Sequence, residues 1–213
     1  MSGGMDSTLA AYMMRDEGYE IIGLHFNYEQ RTQEKELEAF HKICNELDVK
    51  EPYIVNLDFF SQLGASALTD KNIDVPTEGV QEGVPVTYVP FRNGIFISLA
   101  TAIAEKEGAE VLVIGVVEED SSGYPDCREE YINSMQKSIN LGTKDETVLE
   151  IKMPLVHLKK SEIVKESVKR KVALDLTWSC YQSEEKACGV CDSCRLRLNG
   201  FNVAGEIDPI PYA

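Results

Sequence analysis

The sequence predicts an α/β fold, a doubly wound parallel sheet followed by a small C-terminal helical region that binds zinc. Three observations predict it. Short apolar runs alternate with amphipathic stretches along most of the chain, the pattern of strand–helix–strand units. The run VLVIGVV at 111–117 is continuous and β-branched, as in a strand covered on both faces of a parallel sheet. Four of the six cysteines, Cys180, Cys188, Cys191 and Cys194, lie close together near the C-terminus. In a chain without a secretory leader this clustering points to a metal rather than to disulfides.

In order, Thr8 to Glu17 has helical character, with Leu9, Tyr12 and Met13 on one side. YEIIGLHFNY (19–28) predicts a strand, and Leu37, Phe40, Ile43, Cys44 and Leu47 then recur at helical spacing. YIVNLD (53–58) predicts a second strand. Ile95, Phe96, Leu99, Ala100 and Ile103 form the apolar stripe of a further helix, with Gly108 suited to its end. After 111–117, Tyr131, Ile132, Met135 and Ile139 mark one helix and Ile163, Val164 and Val168 another. The natural division is residues 1–150 as the α/β unit and 151–213 as the helical, four-cysteine region. Ligands of such sheets bind beyond the C-terminal ends of the strands.

The 213 residues are 43% apolar, enough for one core of ordinary size. No run of apolar residues is long enough to span a membrane, and no leader is recognisable, so a cytoplasmic protein with no membrane partner is expected. Asp plus Glu total 36 against 21 Lys plus Arg, a balance of −15. A broad nucleic-acid-binding face needs a basic stripe. The balance therefore favours a small-molecule partner and no direct nucleic acid.

The opening stretch, Ser2-Gly3-Gly4-Met5-Asp6-Ser7-Thr8, stands at a predicted helix N-terminus. One reading is a glycine turn with Asp6 or Ser7 as the N-cap. The other is an anion cradle, in which glycines bring backbone N–H groups close and Ser2, Ser7 and Thr8 add hydroxyls. No lysine follows the glycines, so this is not the common phosphate loop. Asp6 would repel a bare phosphate, so a metal-shielded one suits it better.

Three more segments carry chemistry. Gln30 and Arg31 follow the end of the strand at 19–28, where a solvated helix start is the simpler reading. VPVTYVPFRNGIF (84–96) places Pro90, Phe91, Arg92 and Asn93 ahead of a helix. Pro90 and Asn93 suit helix entry, but a cation at that end is disfavoured by the dipole, which makes an anionic ligand for Arg92 plausible. VVEEDSSGYPDCREEY (116–131) places Glu118, Asp120, Ser122, Tyr124, Asp126, Cys127 and Arg128 just past the strand at 111–117. Cys127 has no histidine nearby in sequence to activate it and reads as a packing or substrate-lining thiol. The C-x7-C-x2-C-x2-C pattern of Cys180, Cys188, Cys191 and Cys194 matches tetrahedral zinc. A full four-thiolate shell leaves no open position, so this metal is structural.

SGGMDS resembles the SGGxDS loop of the N-type ATP pyrophosphatases. Read with YVPFRN, DSSGYPDCR, TWSCY, CGVCDSC and GEIDP, the chain resembles the 7-cyano-7-deazaguanine synthase family over residues 2–209. The resemblance implies an adenine nucleotide alpha hydrolase-like fold and a ligase that uses ATP and ammonia to turn 7-carboxy-7-deazaguanine into the nitrile. It also implies magnesium with the ATP, one structural zinc per chain and a homodimer. Ser2 to Thr8 would hold the β- and γ-phosphates, and Leu24 to Asn27 the adenine. Residue type and position then suggest Asp6, Ser7, Arg92 and Arg128 for catalysis, with Phe91, Asn93, Asp120, Tyr124 and Asp126 beside the substrate.

Two departures stand out. The family commonly has His where this chain has Thr32. An apolar first strand normally precedes the loop, whereas here only Met1 does. A central strand is therefore expected to be missing, as from a clipped reading frame, and ATP binding weakened. The rival readings are a tRNA-modifying pyrophosphatase, a deazaguanine-conjugating relative and a non-enzymatic zinc module.

Overall fold

The computed structural model describes residues 1–79, 83–118 and 123–213. Helix α1 (Met5–Asp16) is followed by β1 (Leu24–Asn27), α2 (Gln33–Glu46), β2 (Tyr53–Asn56) and the short α3 (Phe59–Leu63). Then come α4 (Arg92–Glu107), β3 (Val111–Val113), α5 (Glu129–Gly142), β4 (Glu150–Lys152), α6 (Lys160–Lys169) and α7 (Asp192–Ala204). Helix α4 ends where expected, on Gly108 at φ 66°, a left-handed conformation that glycine adopts without strain.

The strands are parallel, as the alternating pattern implies. Register runs Leu24 opposite Tyr53 in the β1–β2 pair and Val111 opposite Glu150 in the β3–β4 pair. The ladders form two two-stranded sheets among the described residues, not one continuous sheet. The expected strand at 111–117 is correspondingly short. Its C-terminal half is extended and held singly, by Ile114 N–H to the Lys152 carbonyl and Glu118 N–H to the Val156 carbonyl. Val113 is 39% exposed, so the expectation of a strand covered on both faces is not met: among the described residues β3 pairs with β4 alone, and its side chains line a cleft.

Helix α1 packs its apolar face on α6 and α7 through Leu9, Leu155, Ile163, Val164 and Phe201. Helices α4 and α5 enclose Ile97, Ile132, Ile139 and Ile151 over β3 and β4. A third cluster surrounds the cysteines, with Trp178, Ala187 and Ile210. Between the two sheets and α1 lies a cleft of about 900 Å³. No helix of the described residues is long and apolar enough to cross a membrane.

Candidate active site and cysteine centre

The opening loop does not cap its helix with a side chain. The N-cap of α1 is Gly4, in extended conformation, so the expectation that Asp6 or Ser7 caps the helix gives way. Ser7 and Thr8 turn their hydroxyls back onto the Gly4 carbonyl at 3.2 and 2.8 Å. The Ser2 hydroxyl accepts the Gly4 N–H and meets Ser7 Oγ at 3.1 Å. The N–H groups of Met5, Asp6 and Ser7 are those a helix leaves without internal partners, and they open toward the cleft that these residues line. Gly3 is required by close approach: at φ +79°, a Cβ there would lie 2.6 Å from the Glu36 carbonyl oxygen. Its own carbonyl accepts the Trp178 N–H.

The loop lacks a lysine in sequence, and the fold supplies one. Lys160, the first residue of α6, is largely buried and sets Nζ 3.0 and 2.8 Å from the two Asp6 carboxylate oxygens. No local pattern marked this pairing, because the two residues are 154 positions apart.

Arg92 opens α4 after Phe91, which sits at φ 56° in the left-handed region. That turn aims the guanidinium into the cleft. Arg92 Nη1 donates to the Tyr28 hydroxyl at 2.9 Å, and the guanidinium lies 5.5 and 5.9 Å from the Tyr28 and Tyr124 ring centroids. No carboxylate pairs with it among the described residues. Burial works against its charge, yet Tyr28, Tyr124, Tyr181 and Asp126 keep its pKa above the ordinary arginine value. Burial also pushes the Tyr28 phenol up to about 12.

The other residues singled out in the sequence divide. Tyr124, Asn93 and Cys127 line the cleft, as does Leu24. Burial and the adjacent Asp126 push the Cys127 thiol up to about 12, so it stays protonated. Asp126 is buried behind the cleft, where Oδ2 accepts the Asn93 N–H at 2.9 Å and holds the first turn of α4. Asn27 bonds Asn56 across the strands. Phe91 is 51% exposed with its ring edge-on to Tyr131. Arg128 is exposed at the start of α5. Asp120 and Ser122 lie outside the described residues. Arg31 is spent on structure, donating to the carbonyls of Ala67, Asp70 and Ile73. Besides Lys160, the cleft gains Tyr28, Gln30 and Glu36 from around β1 and α2, and Trp178, Ser179 and Tyr181 from the cysteine region. Gln30 and the TWSCY stretch stood out in the sequence, whereas Tyr28, Glu36 and Lys160 come from distant segments and carried no local signal.

The four Sγ atoms of Cys180, Cys188, Cys191 and Cys194 lie within 4.8 Å of one another. Zn–S bonds of about 2.3 Å place tetrahedral sulfurs about 3.8 Å apart, so the donor set fits a metal ion with little adjustment. Backbone N–H groups of Gln182, Ser183 and Cys188 point at Cys180 Sγ, and that of Cys191 at Cys188 Sγ. Hydrogen bonds from Cys191 and Cys194 hold the Cys180 thiol well below its usual pKa, and the same contacts raise Cys194. Beside this centre, Arg197 is fully buried and grips Asp208 with two bonds of 2.7 and 2.9 Å.

A cleft of about 900 Å³ bordered by a glycine loop, together with a four-cysteine cluster that could hold a metal ion, fits the class of nucleotide-binding α/β proteins. The family model described as Queuosine biosynthesis protein QueC matches residues 1–205, and the chain belongs to that family. Proteins named 7-cyano-7-deazaguanine synthase match it over 212 residues and all of this chain. Those of Sulfurovum sp., Sulfurimonas denitrificans and Campylobacter fetus subsp. fetus are 70%, 66% and 59% identical, with 96%, 95% and 95% of their own lengths covered.

Proposed function

We propose that the chain is a 7-cyano-7-deazaguanine synthase, converting 7-carboxy-7-deazaguanine, ammonia and ATP to the nitrile. The observation that carries the reading is a single cleft that joins the SGGMDS loop to the guanidinium of Arg92, which has no carboxylate partner among the described residues. One end suits a triphosphate and the other a carboxylate on a flat ring. The relatives' names support it, and speak against a tRNA-modifying or conjugating enzyme and against a zinc module without activity.

A carboxylate is a poor acyl donor because its oxygen leaves badly. Its oxygen attacks the α-phosphorus, pyrophosphate departs, and the resulting acyl adenylate accepts ammonia with loss of AMP. A second activation of the amide oxygen removes it and leaves the C≡N bond. The N–H groups of Met5, Asp6 and Ser7 and the dipole of α1 receive the departing phosphates. Lys160 adds a cation beside them and holds Asp6 in place. Arg92 orients the substrate carboxylate, and Tyr124 packs on the ring.

Magnesium, when bound with ATP, offsets phosphate charge; Asp6, still partly exposed at the loop, and Ser7 are the residues that would hold it. The metal of the cysteine centre is read as zinc, with a structural part. Incubating the protein with ATP, ammonium and 7-carboxy-7-deazaguanine and detecting the nitrile by mass tests the reading. No nitrile and no intermediate amide would overturn it.

A further inference from the structure

Glu36 sits one turn into α2, directly beneath Gly3, and its side chain faces the same cleft as the loop and Arg92. Its carboxylate is held from two sides by neutral donors. The Thr32 hydroxyl lies 2.9 Å from Oε1, and Gln30 Nε2 donates to Oε2 at 3.2 Å. Both donors are buried, at 1% and 5% exposure. Gln30 cannot turn away, because its Oε1 accepts the Tyr28 N–H at 2.9 Å. The single Thr32 hydroxyl proton is shared between Glu36 and the Cys180 carbonyl, which lies 3.1 Å away.

What Glu36 lacks is an ion-pair partner in contact, since the Arg92 charge reaches it only across the cleft. Asp6 has Lys160 and Asp208 has Arg197, whereas Glu36 forms no ion pair among the described residues. In its ionised form, a carboxylate without an ion pair on the floor of a cleft that must admit a triphosphate and a second carboxylate repels both. The charge balance calls for a cation that enters with the substrates. A carboxylate offers about four lone-pair positions, and two are taken here, so two remain. A small cation that is itself a hydrogen-bond donor fits those positions.

We infer that Glu36 forms the ammonium site of the enzyme, binding the nitrogen donor as ammonium and taking the proton that frees its lone pair. This rests on the proposed synthase reading. Ammonium gives one proton to Glu36 and becomes ammonia. The nitrogen lone pair forms the C–N bond at the activated carboxyl carbon, the C–O bond to the adenylyl group breaks, and AMP leaves with that electron pair. The new amide nitrogen then sheds one further proton. The surroundings suit such an exchange. Burial raises the Glu36 pKa to about 7, against hydrogen bonds from Thr32 and Gln30 and the charge of Arg92 from α4, while Glu184 from the cysteine region adds to the rise.

The test compares two nucleophiles at pH 7: ammonium, which must be bound as a cation and deprotonated, and hydroxylamine, which is mostly neutral there. In Glu36→Gln the ratio of ammonium-dependent to hydroxylamine-dependent product falls roughly tenfold or more, the scale of a lost charge-assisted hydrogen bond. Glu34→Gln, exposed on the same helix, leaves the ratio as it is. An equal fall with both nucleophiles, or no fall, overturns the inference. If Glu36→Gln does not fold, Thr32→Val keeps the carboxylate but releases one side of it. It then raises the KM for ammonium about threefold, and an unchanged KM overturns the inference. Carboxylate-dependent exchange of pyrophosphate into ATP by the unaltered enzyme separates the two levels. Its absence would remove the synthase reading itself.

Discussion

Two guanidiniums, Arg197 and Arg92, are treated in opposite ways. Arg197 is closed within the fold: Asp208 takes two of its N–H groups, Thr177 and Ser179 hydroxyls and the Leu174 carbonyl take others. Tyr212 also donates to Asp208 at 2.7 Å, so one buried ion pair ties the C-terminal segment to α7. Arg92 has one hydrogen-bond partner among the described residues, a neutral tyrosine. Glu36, across the cleft, has neutral partners alone. Charges whose partners are internal hold the chain together, and charges left with neutral partners are positioned for what enters. The cysteine centre belongs with the first group, and so does Asp6 through Lys160, whereas the free N–H groups of the glycine loop face the cleft with the second.

The strongest way to break this contrast is at the cysteines. Cys191→Ser removes one of four thiolates from a centre that, read as a structural zinc site, would contribute directly to folding, on a scale of about 10 kcal/mol in small zinc domains. The variant should be insoluble or metal-free, as measured by metal content and thermal unfolding. A variant that folds normally and loses only catalysis would make the centre functional rather than structural. Next comes the pair of arginines. Arg197→Met strands Asp208 and should cost about 3–5 kcal/mol in urea unfolding. Arg92→Met removes a cation that was never compensated, so stability should stay level or rise by about 1 kcal/mol while substrate turnover is lost. If both substitutions cost the same, the distinction between closed and open charges fails.

Asp6→Asn tests the loop. It keeps the shape but weakens the hold of Lys160 and of any metal arriving with ATP. Turnover should fall by about 100-fold or more, the range for losing one preorganised electrostatic contact, with metal content unchanged. An active Asp6→Asn enzyme would remove that role.

What the sequence made legible was local. The four cysteines declared themselves through spacing alone, because ligands for one ion must be close and the chain between them is short. The helices of α1, α2, α4, α5 and α6 were readable from apolar periodicity, although the strands were shorter than their apolar runs. The run at 111–117 read as a strand covered on both faces, which fails because Val113 lines an open edge. Helix α7 was hidden by the cysteines and by a polar face around Arg195 and Asn199. The loop Ser2–Thr8 was visible as a glycine motif, but its choice between cap and cradle depended on Gly4 and on Lys160 from the far end of the chain. Asp126 shows the opposite error: a carboxylate in a segment rich in reactive groups turned out to hold the first turn of α4.

The smallest effect expected is a pH dependence of stability set by two groups pulled in opposite directions. Burial lowers the His25 pKa from 6.5 to about 4. Between those values the unfolded chain binds more protons than the folded one, so this contribution is present above pH 6.5 and is lost as pH falls toward 4. Burial raises Glu36 from 4.5 to about 7. There the folded chain binds more protons, so stability is favoured below pH 4.5 and declines as pH rises through 7. Over pH 4.5–6.5 the two slopes oppose each other and the net dependence from this pair is shallow. Glu36→Gln removes one of them. The urea midpoint of that variant should rise with pH across the window, by no more than about 1.4 kcal/mol per pH unit for one proton, while His25→Gln should tilt the profile the other way. Parallel profiles in the two variants would show that Glu36 does not carry its proton at neutral pH. The open charge on the cleft floor would then be an ordinary ionised carboxylate.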